Sequence, residues 1–359
     1  DGSPWVVDAY LGGAWKSVLV GTLGGGGKGA YALNVSNPDD FDENDVLWEF
    51  TSADDSNMGV AIPRAAIGRM YDDSWVAIVA NGYNSGGGGN AVLFILDLAT
   101  GAKLKEIDTG VGGDNGLSNP FPVDVDGDRI VDYIYAGDLK GNMWKFDVTS
   151  SDSDDWAVAF GGAPLYTACS ADPCTAGNRQ PITAPPEVGI NPDGGFVVYF
   201  GTGRYFAVGD NGAGTVSNTI YAIRDKNEKD AASPVLPTAG RSNLQQQTVL
   251  NERVVDFGSF SENVRVTSAN AVTSAQDGWY LNLPAAGERE VSTPILRGSR
   301  LIFTTIVPSG DACSAGGESW LMEVNALSGS RLKAAPIDLN RDRSFNKDDF
   351  VPLDPNDPD

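Results

Sequence analysis

The stretch Asp124-Val-Asp-Gly-Asp-Arg-Ile-Val-Asp132 sets acidic side chains at Asp124, Asp126, Asp128 and Asp132, positions 1, 3, 5 and 9 of a loop. Side-chain oxygens on that spacing, with a backbone carbonyl at position 7, are what a hard cation such as Ca²⁺ takes for its roughly six to eight oxygen contacts. The carbonyl here is that of Ile130. Four carboxylates this close repel one another unless a cation sits among them. An acidic turn open to water is the alternative reading, and the alternating spacing is what argues for metal. Position 12 is Tyr135, so the bidentate Glu that closes an EF-hand loop is missing. Val131-Asp-Tyr-Ile-Tyr135 is β-branched and aromatic, a strand and not a helix. The expectation is a calcium loop that feeds a β-strand, with Asp132 at the strand entrance as its bidentate ligand.

A second stretch, 338–349, repeats the pattern. Asp338, Asn340, Asp342 and Asn346 occupy positions 1, 3, 5 and 9, Ser344 supplies the carbonyl at 7, and Asp349 stands at 12. This is a dockerin-like or EF-hand-like loop, and Lys347-Asp-Asp-Phe350 can open a short helix. It departs from the pattern at position 6, where Arg343 replaces the glycine of the sharp turn, and at position 12, where Asp reaches less far than Glu. A capped turn or a vestigial site is the alternative.

Composition narrows the chemistry. The 359 residues hold no His and a formal net charge of −23, which removes the commonest general base and transition-metal ligand. The charge argues against nucleic acid and against an anionic membrane surface. No apolar run reaches the roughly 18 residues of a membrane span. The chain opens at Asp1-Gly2 without Met and reads as a fragment of a longer polypeptide, with any signal or anchor outside it. Cys169 and Cys174 suit a local disulfide in an oxidising compartment, with two free thiols as the alternative; Cys313 is left over. Calcium loop and disulfide together favour an exported protein.

Helical periodicity is scarce, and short apolar or β-branched runs bounded by Gly, Asn, Asp and Pro recur, as in Trp75-Val-Ala-Ile-Val-Ala80 and Val92-Leu-Phe-Ile-Leu96. An anchor of apolar residues ending in Asn or Asp repeats at Tyr31-Ala-Leu-Asn34, Phe94-Ile-Leu-Asp97, Trp144-Lys-Phe-Asp147, Tyr221-Ala-Ile-Arg-Asp225, Tyr280-Leu-Asn282 and Met322-Glu-Val-Asn325. The shortest interval between anchors is 43 residues, the length of one four-stranded propeller blade. The chain is expected to be all-β: one modified β-propeller domain over 1–359, with six to seven irregular blades of quinoprotein-like repeats and the calcium-binding loops on its hairpins. A β-sandwich is the second choice, but it gives no reason for a repeating anchor. Trp48, Trp75, Trp144, Trp279 and Trp320 are expected to be core residues between blades.

The loop running into Tyr133-Ile-Tyr-Ala-Gly-Asp-Leu-Lys-Gly-Asn-Met-Trp-Lys-Phe-Asp147, the pair Gln180-Pro-Ile-Thr-Ala-Pro-Pro-Glu-Val188 and Tyr199-Phe-Gly-Thr-Gly-Arg-Tyr-Phe206, and Gly278-Trp-Tyr-Leu-Asn282 with Gly287-Glu288, Cys313 and Ser319-Trp-Leu-Met-Glu323 together carry a resemblance. The chain resembles the C-terminal domain of the PilY family, the type IV pilus biogenesis factors and tip-associated adhesins, over about residues 10–350. The resemblance implies a propeller related to quinoprotein repeats and a calcium-dependent role in pilus extension and retraction, twitching motility, surface adhesion and virulence. It implies calcium ligands at Asp124, Asp126, Asp128, Ile130 (carbonyl) and Asp132. The implied partners are minor pilins, the type IV pilus machinery, and host or abiotic surfaces. The implied place is the pilus tip, cell surface, periplasm or outer membrane of a Gram-negative bacterium. The Arg-Gly-Asp tripeptide of some members is not in this chain.

A binding and regulatory module without catalysis is the first functional reading. The other class is a quinoprotein-like dehydrogenase, since Leu96-Asp-Leu-Ala-Thr-Gly101 and Val324-Asn-Ala-Leu-Ser-Gly329 resemble that family's blade ends. The chain is short for eight such blades, and Asp and Gly at blade ends are accounted for as turn formers.

Overall fold

The computed structural model describes residues 2–212, 214, 216–226, 236–237, 240–310 and 316–352. Cys313 therefore lies outside the described residues. The chain divides into two compact units, one built on Asp1–Cys169 and Cys174–Pro186, the other on Glu187–Lys226 and Pro237–Asp359.

Three antiparallel sheets follow one another in the first unit. The first is β1 (Trp5–Leu11), β2 (Ala14–Thr22), β3 (Gly29–Asn34) and β4 (Val46–Thr51). The second is β5 (Ala66–Arg69), β6 (Trp75–Ala80), β7 (Val92–Asp97) and β8 (Lys103–Asp108). The third is β9 (Phe121–Val123), β10 (Tyr133–Gly137) and β11 (Asn142–Asp147), with the short β12 (Ala157–Val158) and β13 (Tyr166–Thr167) both paired to β11. The uninterrupted apolar runs of β6 and β7 are buried on both faces. Ala77, Val79, Phe94 and Leu96 pack toward the first sheet, while Ile78, Ala80, Leu93 and Ile95 pack toward the third. A strand with two core faces has no position left for a polar alternate, which is why these runs read as continuous.

The second unit carries β14 (Glu187–Ile190), β15 (Phe196–Gly201), β16 (Thr219–Asp225), β17 (Gln245–Gln247), the hairpin β18 (Val249–Asp256) and β19 (Ser261–Thr267), and β20 (Gly278–Asn282). One sheet runs β14-β15-β16-β20-β17, and the hairpin stands apart from it. A last sheet has three strands, β21 (Ile295–Arg297), β22 (Arg300–Pro308) and β23 (Gly317–Asn325). Helical residues among those described are confined to short 3₁₀ turns.

Five of the six anchors sit on the third strand of a sheet: β3, β7, β11, β16 and β23. The anchor at Tyr280 does not begin a further repeat. It lies on β20, the neighbour of β16, with Tyr280 opposite Tyr221. The hairpin inserted between β16 and β20 is what makes one sheet read as two repeats.

The blade-end turns have a structural duty. Asp97 Oδ1 accepts from the N–H groups of Ala99 and Thr100 at 3.1 and 2.8 Å, and Gly101 N–H closes onto the Asp97 carbonyl at 2.9 Å. The Trp48 indole of β4 lies on this turn and donates Nε1–H to the Leu98 carbonyl at 2.9 Å. The second unit repeats the device: Asn325 Oδ1 accepts from Leu327 and Ser328, and Trp279 Nε1 donates to the Ala326 carbonyl at 2.8 Å. Gly101 has φ +73°, and a Cβ there would stand 2.7 Å from Trp48 Cγ. Of the five tryptophans expected in the core, Trp48, Trp144, Trp279 and Trp320 are buried, whereas Trp75, at the start of β6, is only half-buried. Cys169 and Cys174 are joined in the local disulfide.

Glu290 is an anomalous acid of the second unit. It is fully buried, and among the described residues its Oε2 has no hydrogen-bond partner. Burial pushes its carboxyl up to about 8, while hydrogen bonds from Ser292 and Gly201 pull the other way.

Two outcomes are expected. Gly101→Ala should cost on the order of 2 kcal/mol or more in denaturant unfolding, because it adds a clash with Trp48 to the strain of a positive φ. Gly110→Ala, with φ +71° and nothing within 4 Å, separates the two terms and should cost only about 1 kcal/mol. The raised carboxyl of Glu290 favours the folded state at low pH and opposes it progressively as pH climbs from about 4.5 to about 8. Glu290→Gln should match the parent near pH 4 and exceed it by on the order of 4 kcal/mol near pH 8, read from paired unfolding curves.

Candidate metal centre

Residues 124–132 form the connection between β9 and β10, whose register pairs Val123 with Tyr133. Both legs of the loop are tied to the sheet. Asp132 N–H donates to the Val123 carbonyl at 2.9 Å, and Val131 N–H donates to the Arg69 carbonyl at the end of β5, also at 2.9 Å. A Cβ on Gly68 would lie 2.6 Å from Val131 Cγ2, so the bare backbone of β5 makes room for the leg. β10 starts at Tyr133, two residues after the apolar run itself begins.

Within the loop the carboxylates organise the backbone. Asp124 Oδ1 accepts from Gly127 N–H at 2.7 Å and Oδ2 from Arg129 N–H at 2.8 Å. Asp126 Oδ1 accepts from Asp128 N–H at 3.3 Å, and Asp128 Oδ1 from Ile130 N–H at 2.8 Å. The result brings one oxygen each of Asp124, Asp126 and Asp128 within 4.8 Å of one another, all three residues exposed. Among the described residues this is the one such cluster of acidic, His or Cys ligands. Each oxygen keeps acceptor capacity beyond its N–H bond, so the donor set suits a hard cation.

Asp132 is placed differently. It is fully buried, its Oδ2 accepts from Val125 N–H at 2.7 Å, and its Oδ1 accepts from the Tyr71 hydroxyl at 3.0 Å. It is not among the three gathered side chains. It holds the loop's second residue to the start of the strand. Tyr71, in the β5–β6 connection, had no signal in the sequence, because its partner lies 61 residues away.

The 338–349 loop is built on the same hydrogen-bond plan. Asp338 accepts from Asp342 and Arg343 N–H, Asn340 Oδ1 from Asp342 N–H at 2.9 Å, and Asp342 Oδ1 from Ser344 N–H at 2.7 Å. Positions 4 and 6 are left-handed in both loops: Gly127 at +83° and Arg129 at +69° in one, Arg341 at +60° and Arg343 at +68° in the other. Arg343 thus adopts the conformation for which glycine is the usual choice. Asp349 Oδ1 accepts from Leu339 N–H at 2.9 Å, as Asp132 does from Val125, so position 12 here and position 9 there grip the same second residue of their loops. Backbone N–H groups of Asn346, Asn340 and Leu339 hold the Asp349 carboxyl below its usual range. Asn346 caps the 3₁₀ turn Lys347–Asp349, the short helix expected after this loop. No three acidic groups of this loop are gathered as in the first.

With the geometry in view, the comparisons decide the family. The model of the PilY1 beta-propeller domain matches residues 1–262. The chain belongs to that family. It is 39% identical over 349 residues to a type IV pilus biogenesis factor PilY1 homolog of Xylella fastidiosa, covering 92% of this chain and 23% of that protein. Against the type IV pilus biogenesis factor PilY1 of Pseudomonas aeruginosa it is 36% identical over 382 residues, covering 95% and 32%. The chain thus spans between about a quarter and a third of these relatives. The solved C-terminal domain of Pseudomonas aeruginosa PilY1 matches with a TM-score of 0.85 at 34% identity, over 96% of this chain and 74% of that one. The all-β, β-propeller class read from the repeats is the class of this family. No helix among the described residues is long and apolar enough to cross a membrane.

The buried carboxylate and the exposed ones should respond differently to truncation. Asp132→Ala leaves Val125 N–H and the Tyr71 hydroxyl without their acceptor and should cost about 2–4 kcal/mol in urea unfolding. Asp126→Ala, at the exposed rim, should change stability by less than about 0.5 kcal/mol without added cation.

Proposed function

We propose that the chain is the calcium-binding regulatory module of a type IV pilus biogenesis protein, acting in pilus extension and retraction, twitching motility and surface adhesion. The observation that carries this reading is the gathering of Asp124, Asp126 and Asp128 at a hairpin tip in a member of the PilY1 family. The curated relatives are named as biogenesis factors, which supports a role at the cell envelope or pilus without catalysis. The Asp97 and Asn325 turns, which prompted the dehydrogenase alternative, are engaged in docking Trp48 and Trp279.

A bound Ca²⁺ supplies the positive charge that offsets the clustered carboxylates. The residues do the rest. Asp124, Asp126 and Asp128 present oxygens from a backbone they themselves brace, the Ile130 carbonyl is the fourth donor of the scheme, and Asp132 connects the loop to β10. Asp338, Asn340, Asp342, Ser344, Asn346 and Asp349 form a second, parallel set. A ligand that binds only the ordered loop stabilises it by RT ln(1 + [L]/Kd), about 1.4 kcal/mol at tenfold excess over Kd. Extracellular modules bind calcium at about 10⁻⁴–10⁻³ M, so external calcium is a usable signal. Minor pilins and the pilus machinery are the partners this reading implies.

Capture of purified minor pilins by the immobilised chain, in calcium and in chelator, tests the reading. Capture should be at least about fivefold stronger in calcium, and Asp124→Ala combined with Asp128→Ala should remove the difference. Equal capture in both conditions would contradict calcium control. No capture in either would contradict the partner class.

A further inference from the structure

Among the described residues, the sheet that ends in β23 is one strand short. β3 pairs β4, β7 pairs β8, β11 pairs β12 and β13, and β16 pairs β20, whereas among the described residues β23 pairs β22 alone. Its open edge can be phased. Asn325 N–H donates to the Ser330 carbonyl, away from β22, at 2.9 Å. By the two-residue period, the N–H and C=O of Glu323, Leu321 and Ser319 also point away from β22.

The hairpin offers a second open edge. Ser268 N–H donates to the Thr248 carbonyl, on the β18 side, at 2.8 Å. Asn263, Arg265 and Thr267 therefore turn their backbone groups away from β18. β19 and β23 line one groove of about 560 Å³, and beside it the Arg265 guanidinium lies 3.8 Å from the centre of the Trp320 ring. Residues of the C-terminal stretch, Ile337 and Leu339 among them, also line this groove. Ser330 and Arg331 close one end of the gap, Arg331 N–H donating to the Ser268 carbonyl just past β19 at 3.0 Å, and among the described residues 332–337 make no backbone hydrogen bond to either strand. Leu321 is left 57% exposed on the open edge.

We propose that the β23 edge is an acceptor for an extended segment of a separate protein, which completes the sheet as its fourth strand. Main-chain hydrogen bonds to Ser319, Leu321 and Glu323 supply affinity, and alternate side chains supply specificity. The charge around the groove selects the guest. Arg265 is already paired with Glu288, and Arg341 with Glu262. Glu318 remains at the rim without a cation among the described residues, in a chain of net charge −23. The segment that fits alternates apolar residues with Lys or Arg. This inference is independent of calcium.

The probe is a nine-residue peptide alternating Val and Lys, matched to the nine residues of β23, with a Val and Glu counterpart as control. Amide exchange is read residue by residue in the whole chain. The Val–Lys peptide should slow exchange at Ser319, Leu321 and Glu323 by about tenfold or more, and the Val–Glu peptide should not. Leu321→Pro removes an N–H that points outward and no bond to β22, so the sheet stays folded while protection is lost. Leu321→Thr should retain protection. The proposal is overturned by no slowing, by equal slowing with both peptides, or by slowing that survives Leu321→Pro. It is also overturned if these amides are already slow in the free chain: at all concentrations, the chain fills its own edge; only at high concentration, a second copy does.

Discussion

Mutual repulsion of three carboxylates is the constraint on which the 124–132 hairpin depends. Like charges some 4 Å apart cost on the order of 1 kcal/mol per pair in bulk water, and more where solvent is thinned. Hydrogen bonds to charged acceptors contribute about 1.5–3 kcal/mol each, so the N–H groups of Gly127, Asp128, Arg129 and Ile130 are enough to hold the cluster together. The loop is thereby braced by its own backbone. A cation entering it would meet oxygens already converged, with little left to organise. The sheet takes part through Asp132 and Val131, which fix the two strands and the end of β5 to one loop.

The 338–349 loop shows that this plan does not depend on glycine at position 6 or on a β-strand after the loop. Arg129 and Arg343 take the same left-handed conformation, and Asp132 and Asp349 both brace the second residue from different positions. The two loops differ in what they are attached to. The first is embedded in a sheet and braced from β5. The second belongs to a C-terminal stretch held by side chains, with Arg341 paired to Glu262 and Arg253 donating to the Pro352 carbonyl at 2.7 Å. Ordering the first loop therefore acts on a sheet, whereas ordering the second acts on a strap.

Much of this was legible in the residues. The spacing of Asp124, Asp126 and Asp128 marked the cluster, and the unbroken runs at 75–80 and 92–96 marked strands with two buried faces. The double function of Asp132 was not legible, since its partner Tyr71 is brought near only where the β5–β6 connection lies against the 124–132 loop. Nor was the true count of anchors: Tyr280-Leu-Asn282 has the alternation of a third strand, and nothing local says that it pairs with Tyr221 across an inserted hairpin. The Asp97 and Asn325 turns are legible as turn formers, but the tryptophans that rest on them come from strands about 50 residues away.

The central claim is that the carboxylates of 124–132 take calcium. Terbium, a trivalent stand-in that emits when excited through nearby aromatic rings such as Tyr71, measures this directly in solution. The account predicts emission that calcium displaces, falling by at least about half in the Asp124→Ala, Asp128→Ala double variant and persisting when Asp338 and Asp342 are replaced instead. Emission that calcium does not displace, or that is indifferent to Asp124 and Asp128, would contradict it.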